Sequence, residues 1–99
     1  MPAEHGTVSA PVRPALYRKA ADQNDARAQA GLGFLYYSGK GVAQDEAEAV
    51  KWFQKAALQN EASAFSSLAW AYYRGKGTAQ DFAEAAKWFR KAADNGDVQ

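Results

Sequence analysis

Shifted by 36 residues, this chain lies over itself: Ala26 to Glu61 match Ala62 to Asp97, and 20 of the 36 aligned positions are identical. A repeat of that length is one supersecondary unit, too small to bury an apolar face alone, so successive copies must stack and share a core. The matched landmarks run in order: Ala28 with Ala64, Leu32 with Leu68, Tyr36-Tyr37 with Tyr72-Tyr73, Gly39-Lys40-Gly41 with Gly75-Lys76-Gly77, Gln44-Asp45 with Gln80-Asp81, and Lys51-Trp52-Phe53 with Lys87-Trp88-Phe89. One step further back, Lys19-Ala20-Ala21 occupies the slot of Lys55-Ala56-Ala57 and Lys91-Ala92-Ala93. The chain divides into an N-terminal tail (1–13) and a repeat domain (14–99), the latter holding a half repeat (14–25), a first full repeat (26–61) and a second (62–97). The opening segment, with Pro2, Gly6, Pro11 and Pro14 among short polar residues, offers too little apolar surface to offset its ordering entropy, so a flexible tail is expected.

Each unit reads as two helices. The first runs from about Ala26 to Ser38, with Ala28, Leu32 and Tyr36 at four-residue spacing on one face. It stops at Gly39-Lys40-Gly41, where glycine takes positive φ without steric cost. The second starts at Asp45, whose carboxylate can cap the free first-turn amides, with Glu48 completing a capping-box-like pair; Asp81 and Glu84 repeat the device. Ala49, Trp52, Phe53 and Ala56, like Ala85, Trp88, Phe89 and Ala92, form an apolar stripe in which alanines let helix axes approach and rings fill the groove. Asn24, Asn60 and Gly96 tolerate the left-handed conformation that ends a helix, and Asp25, Glu61 and Asp97 favour the start of the next.

Composition narrows the function. Twelve basic against eleven acidic side chains leave a formal charge of +1, too weak a field to gather nucleic acid or an anionic membrane. With no cysteine there is neither a disulfide nor a thiolate metal site. No apolar run is long enough for membrane insertion, and the start lacks a secretory signal, so the chain as given is expected to be cytoplasmic, or periplasmic or secreted if a leader has been removed. Catalysis needs a nucleophile with its base, tuned acids or a metal. The sole histidine, His5, sits in the tail, no serine is followed three residues on by lysine, and the two Gly-Lys-Gly turns follow helices rather than the strand that precedes a phosphate loop. Asp45, Glu46 and Glu48 are spaced for a helix start, and the Lys51, Lys55, Lys87 and Lys91 row reads as a solvated face. No enzyme activity, catalytic residue, metal or cofactor is expected.

The ordered set Ala28, Leu32-Gly33, Tyr36, Gly39, Gly41-Val42, Asp45, Ala49, Trp52 and Lys55-Ala56-Ala57, with its second copy, resembles the Sel1-like repeats, relatives of the tetratricopeptide repeat. The second unit departs by Ala69 in place of Gly33 and Thr78 in place of Val42. The resemblance covers about Ala15 to Asp97. It implies an all-α solenoid of about five helices wound as a right-handed superhelix, whose first helices line a concave surface that binds partners. Relatives look like adaptors in bacterial envelope, secretion and host-interaction pathways and in eukaryotic protein degradation.

Opposite Ala28, Leu32 and Tyr36, the first helix carries Arg27, Ala30, Phe34 and Tyr37, and its second copy carries Ser63, Ser66, Trp70, Tyr73 and Arg74. These match the groove-lining positions of the related repeats. Tyrosine, tryptophan and arginine are enriched among interface hot spots, so this strip is the expected seat for a peptide or helix of a partner protein, with core burial the alternative for Phe34 and Trp70. At the C-terminal end Trp88 or Phe89 is expected to be partly uncovered, open to a partner helix or to a homo-oligomer. The alternative there is that both rings point inward and only Ala85, Ala92 and charged side chains show.

Overall fold

Two kinds of cap set the helix boundaries, and they alternate along the chain. The structure, a computed structural model, describes residues 13–97. There the chain forms α1 (residues 13–22), α2 (Ala26–Ser38), α3 (Glu46–Leu58), α4 (Ala62–Arg74) and α5 (Phe82–Asp97), with no strand among the described residues. His5 and the rest of the expected tail up to residue 12 lie outside the described residues, while Arg13 is already helical. The even-numbered helices α2 and α4 end on Gly39 (φ 74°) and Gly75 (φ 69°), whose amides donate to the Leu35 and Ala71 carbonyls. The turns out of α1 and α3 place Asn24 (φ 71°) and Asn60 (φ 64°) in the left-handed region. Gly96, expected as a third such stop, instead lies inside the last turn of α5.

Asp45 caps α3 by accepting from the Glu48 amide at 3.1 Å, and Asp81 does the same for Glu84 at 3.0 Å. The reciprocal half of the expected capping box is not made. The Asp45 and Asp81 amides donate instead to the Tyr36 and Tyr72 carbonyls, both at 2.9 Å, which ties the start of each odd-numbered helix to the end of the helix before it. Glu48 is thereby left to pair with Lys51 at 3.5 Å, and Glu84 with Lys87 at 3.2 Å.

Helices α2 to α5 stack in chain order, each packed on its predecessor, and α2 and α4 also touch. Alanine makes this closeness possible: Ala49, Ala56, Ala64, Ala69 and Ala71 are fully buried. One cluster gathers Val50, Phe53, Phe65, Leu68 and Trp88, the other Ala21, Ala28, Leu32, Leu35 and Trp52. The joint between the half repeat and the first full repeat is a polar clasp. Buried Gln29 donates to the Ala21 carbonyl, while the Gln59 amide reaches the Asn24 carbonyl at 3.1 Å and Gln29 Oε1 at 3.0 Å. At the corresponding joint Phe65 replaces Gln29 and stacks on Trp88, with ring centroids 5.9 Å apart.

The loop after α4 is a further fastener. Gly77 (φ 81°) lies so close over the start of α3 that a Cβ there would run into the Glu46 carbonyl and sit 2.9 Å from Val50 Cγ2, and Lys76 reaches Glu46 at 3.8 Å. Gly77→Ala therefore combines left-handed strain with a backbone clash, and its unfolding free energy in urea is expected to fall by more than about 1 kcal/mol. Asp45→Ala, which removes a cap alone, is expected to cost about 1 kcal/mol in the same assay.

Candidate functional site

The even-numbered helices present their aromatic residues side by side. Between α2 and α4 lies a pocket of about 160 Å³, lined by Phe34 and Tyr37 from α2, Phe53 from α3, and Ser67, Trp70 and Arg74 from α4. Phe53 is the floor, 1% exposed, with Phe34 set edge-on at 5.2 Å and Tyr37 tilted at 6.3 Å between centroids. The far wall is Trp70, 42% exposed, with Tyr73 edge-on at 5.6 Å and Phe89 edge-on at 4.9 Å. The Arg74 guanidinium sits 4.6 Å above the Trp70 ring, a cation–π contact that holds a charge at the rim of an apolar hollow. Gln44 and Gln80 brace the helix ends by donating to the Tyr37 and Tyr73 carbonyls at 2.7 and 2.9 Å.

Four of the residues expected in the groove, Phe34, Tyr37, Trp70 and Arg74, thus surround one pocket, and exposed Tyr73 extends the aromatic wall toward Phe82 at 5.3 Å. Phe34 and Trp70 serve both sides, resting on core rings while keeping an exposed face. Other expectations shift. Ala30 is 2% exposed and belongs to the core, not the groove. Ser66 is exposed but does not line the pocket; its neighbour Ser67 does, because Ser67, Trp70 and Arg74 follow one another at three- and four-residue spacing on one helix face. Ser63 donates to Glu61 at 2.8 Å, and Arg27 is exposed two turns before Phe34, neither lining the pocket. The floor residue Phe53 was legible only as core.

Of the two C-terminal rings Trp88 is closed, while Phe89 stays partly uncovered. Trp88 is 8% exposed, stacked on Phe65, with its Nε1 donating to Glu84 at 3.2 Å, and Phe89 is half-buried against Trp70. Both turn inward because α4 covers the face of α5 that carries them. What the end does expose is Phe82, together with a shallow depression lined by Ala83, Ala86, Lys87, Arg90, Lys91 and Asp94. Among the described residues no cluster of three or more His, Asp or Glu is placed to hold a metal ion, and no helix is long and apolar enough to cross a membrane.

A sequence model of the Sel1 repeat matches residues 15–25, 26–61 and 66–97. This chain belongs to the Sel1 repeat family. Its fold is similar to that of a Sel1 repeat protein from Oxalobacter formigenes, at 42% identity and TM-score 0.85 over 89% of this chain and 36% of that one. It is also similar to c5321, a protective antigen of uropathogenic Escherichia coli with an SLR fold, at 42% identity and TM-score 0.83 over 86% of this chain and 18% of that one. Helicobacter pylori cysteine rich protein B aligns at 30% identity and TM-score 0.79, over 84% and 62% of the two chains. The Sel1 chain described here spans less than two thirds of each of these proteins. A comparison with curated proteins gives no match. Sel1 repeat proteins are in general protein-interaction scaffolds, and the all-α solenoid found here is the family's architecture.

The three tryptophans differ sharply in exposure, which makes the pocket visible to spectroscopy. Iodide is expected to quench a single class of emission, and Trp70→Phe to abolish that quenchable fraction while leaving the buried Trp52 and Trp88 signal.

Proposed function

We propose that this Sel1 chain is a protein-binding scaffold that takes a peptide or helix of a partner protein into the groove between α2 and α4. The observation that carries the reading is the pocket itself, where Phe34, Tyr37 and Trp70 converge over buried Phe53 with an arginine at the rim. Rings already fixed by core neighbours lose little conformational freedom when a partner binds, so more of the contact energy appears as affinity. The family's general role points the same way, and the proposed activity is binding rather than catalysis.

A second reading has its own support. A 36-residue shift carries the buried Val50 and Ala57 of α3 onto Ala86 and Ala93 of α5, which are exposed, and carries Gln54, which bonds the Tyr72 hydroxyl at 2.8 Å, onto Arg90. The outer face of α5 is thus built like a face that elsewhere receives another helix, and self-association there is the alternative use of the chain.

The test is to measure the affinity of a partner, captured with the wild-type chain and then purified, for Trp70→Ala and for Tyr73→Ala, each checked by circular dichroism. The groove reading predicts a loss of roughly tenfold or more for Trp70→Ala. Unchanged binding to both variants, with loss on Arg90→Glu, would move the site to α5.

A further inference from the structure

We infer that the segment received in this groove is an acidic peptide bearing one large apolar side chain, the apolar group filling the pocket and a neighbouring carboxylate meeting Arg74; the inference rests on the binding reading above.

The charge distribution is the first support. The chain is nearly neutral overall, yet α2 contains Arg27 and no acid, and α4 contains Arg74 and no acid. On α3 and α5, by contrast, Lys51 is paired with Glu48 and Lys87 with Glu84. The carboxylates nearest in sequence to the groove helices are already engaged, Asp25 with the Ala28 amide, Asp45 with the Glu48 amide, Glu61 with Ser63, and Asp81 with the Glu84 amide. Among the described residues no carboxylate lies within ion-pair distance of Arg74, and exposed Lys40 follows the end of α2. The face that carries the aromatic pocket therefore bears two arginines with no carboxylate paired to them among the described residues.

Geometry supplies the second. About 160 Å³ of water-accessible space is the scale of a cavity that takes one benzene-sized group, the bulk of a single large side chain rather than of an extended surface. Its walls are phenyl, phenol and indole, so an aromatic or branched aliphatic group would displace water favourably. Arg74 is held with its guanidinium over Trp70, which leaves the edge of the fork free for bidentate donation to a carboxylate. Filling the pocket excludes water beside that edge and strengthens the ion pair. Anchor and acid thus belong to one short stretch of the partner.

The experiment is selection from a random peptide library displayed on phage against the wild-type chain, Trp70→Ala and Arg74→Glu, all shown by thermal melts to be folded. Wild type is expected to enrich peptides with a Phe, Trp, Leu or Ile within three positions of Asp or Glu. Arg74→Glu is expected to enrich the same anchors beside Lys or Arg. A selected acidic peptide should bind Arg74→Gln roughly fivefold to tenfold more weakly than wild type, and should weaken as sodium chloride is raised. If wild type enriches neutral or basic peptides whose binding is lost on Trp70→Ala, the acidic assignment is overturned while the groove stands. Peptides that bind Trp70→Ala as tightly as wild type, or no enrichment on any of the three chains, would overturn the groove and the inference with it.

Discussion

The Phe53 ring occupies space that exists because residue 33 has no side chain. A Cβ at Gly33 would sit 2.7 Å from the ring and 3.2 Å from the Ala49 carbonyl, so the approach of α3 to α2 depends on that glycine. Seated there, Phe53 is at once the wedge of the main core cluster and the floor of the pocket. Phe34 and Tyr37 lean on it from one side, while Trp70 of α4 faces it across the pocket. Core and site are the same packing seen from two directions.

The two full repeats reach similar geometry with different chemistry. Where the first meets the half repeat, a glutamine pair satisfies the backbone turn at Asn24; where the second meets the first, Phe65 and Trp88 stack and Lys91 donates to the Asn60 side chain at 3.2 Å. Trp88 finds an acceptor in Glu84, whereas the buried Trp52 Nε1 has none, although Glu48 and Glu84 each pair with the lysine three residues on. Such substitutions leave the stacking intact because the landmarks that set it, the alanines, the capping aspartates and the left-handed turns, are held in both units.

Periodicity made the fold legible: a 36-residue shift with two internal helices predicts the boundaries of α2 and the capped start of α3, because local rules of capping and glycine conformation act within a few residues. What it did not reveal depends on contacts between units. Spacing makes Asp45 half of a capping box, yet its amide is taken by the Tyr36 carbonyl of the preceding helix. Sequence leaves open whether Trp88 or Phe89 is uncovered; Trp88 is the one closed, stacked on Phe65 of the preceding helix. The repeat pattern points to Ser66, whereas Ser67 lines the pocket, one residue and about 100° of helix rotation away, at three- and four-residue spacing from Trp70 and Arg74.

The central claim is that one face, shared by α2 and α4, is where this Sel1 chain meets its partner. Nitrogen-15 correlation spectra of the labelled chain, recorded with and without a bound partner peptide, test it most directly. The account predicts shifts concentrated at the Trp70 indole and the amides of Phe34, Tyr37, Tyr73 and Arg74, with the Trp52 and Trp88 indoles little changed. A still Trp70 indole together with shifts at Lys87, Arg90 and Lys91 would contradict it and place the partner on the outer face of α5.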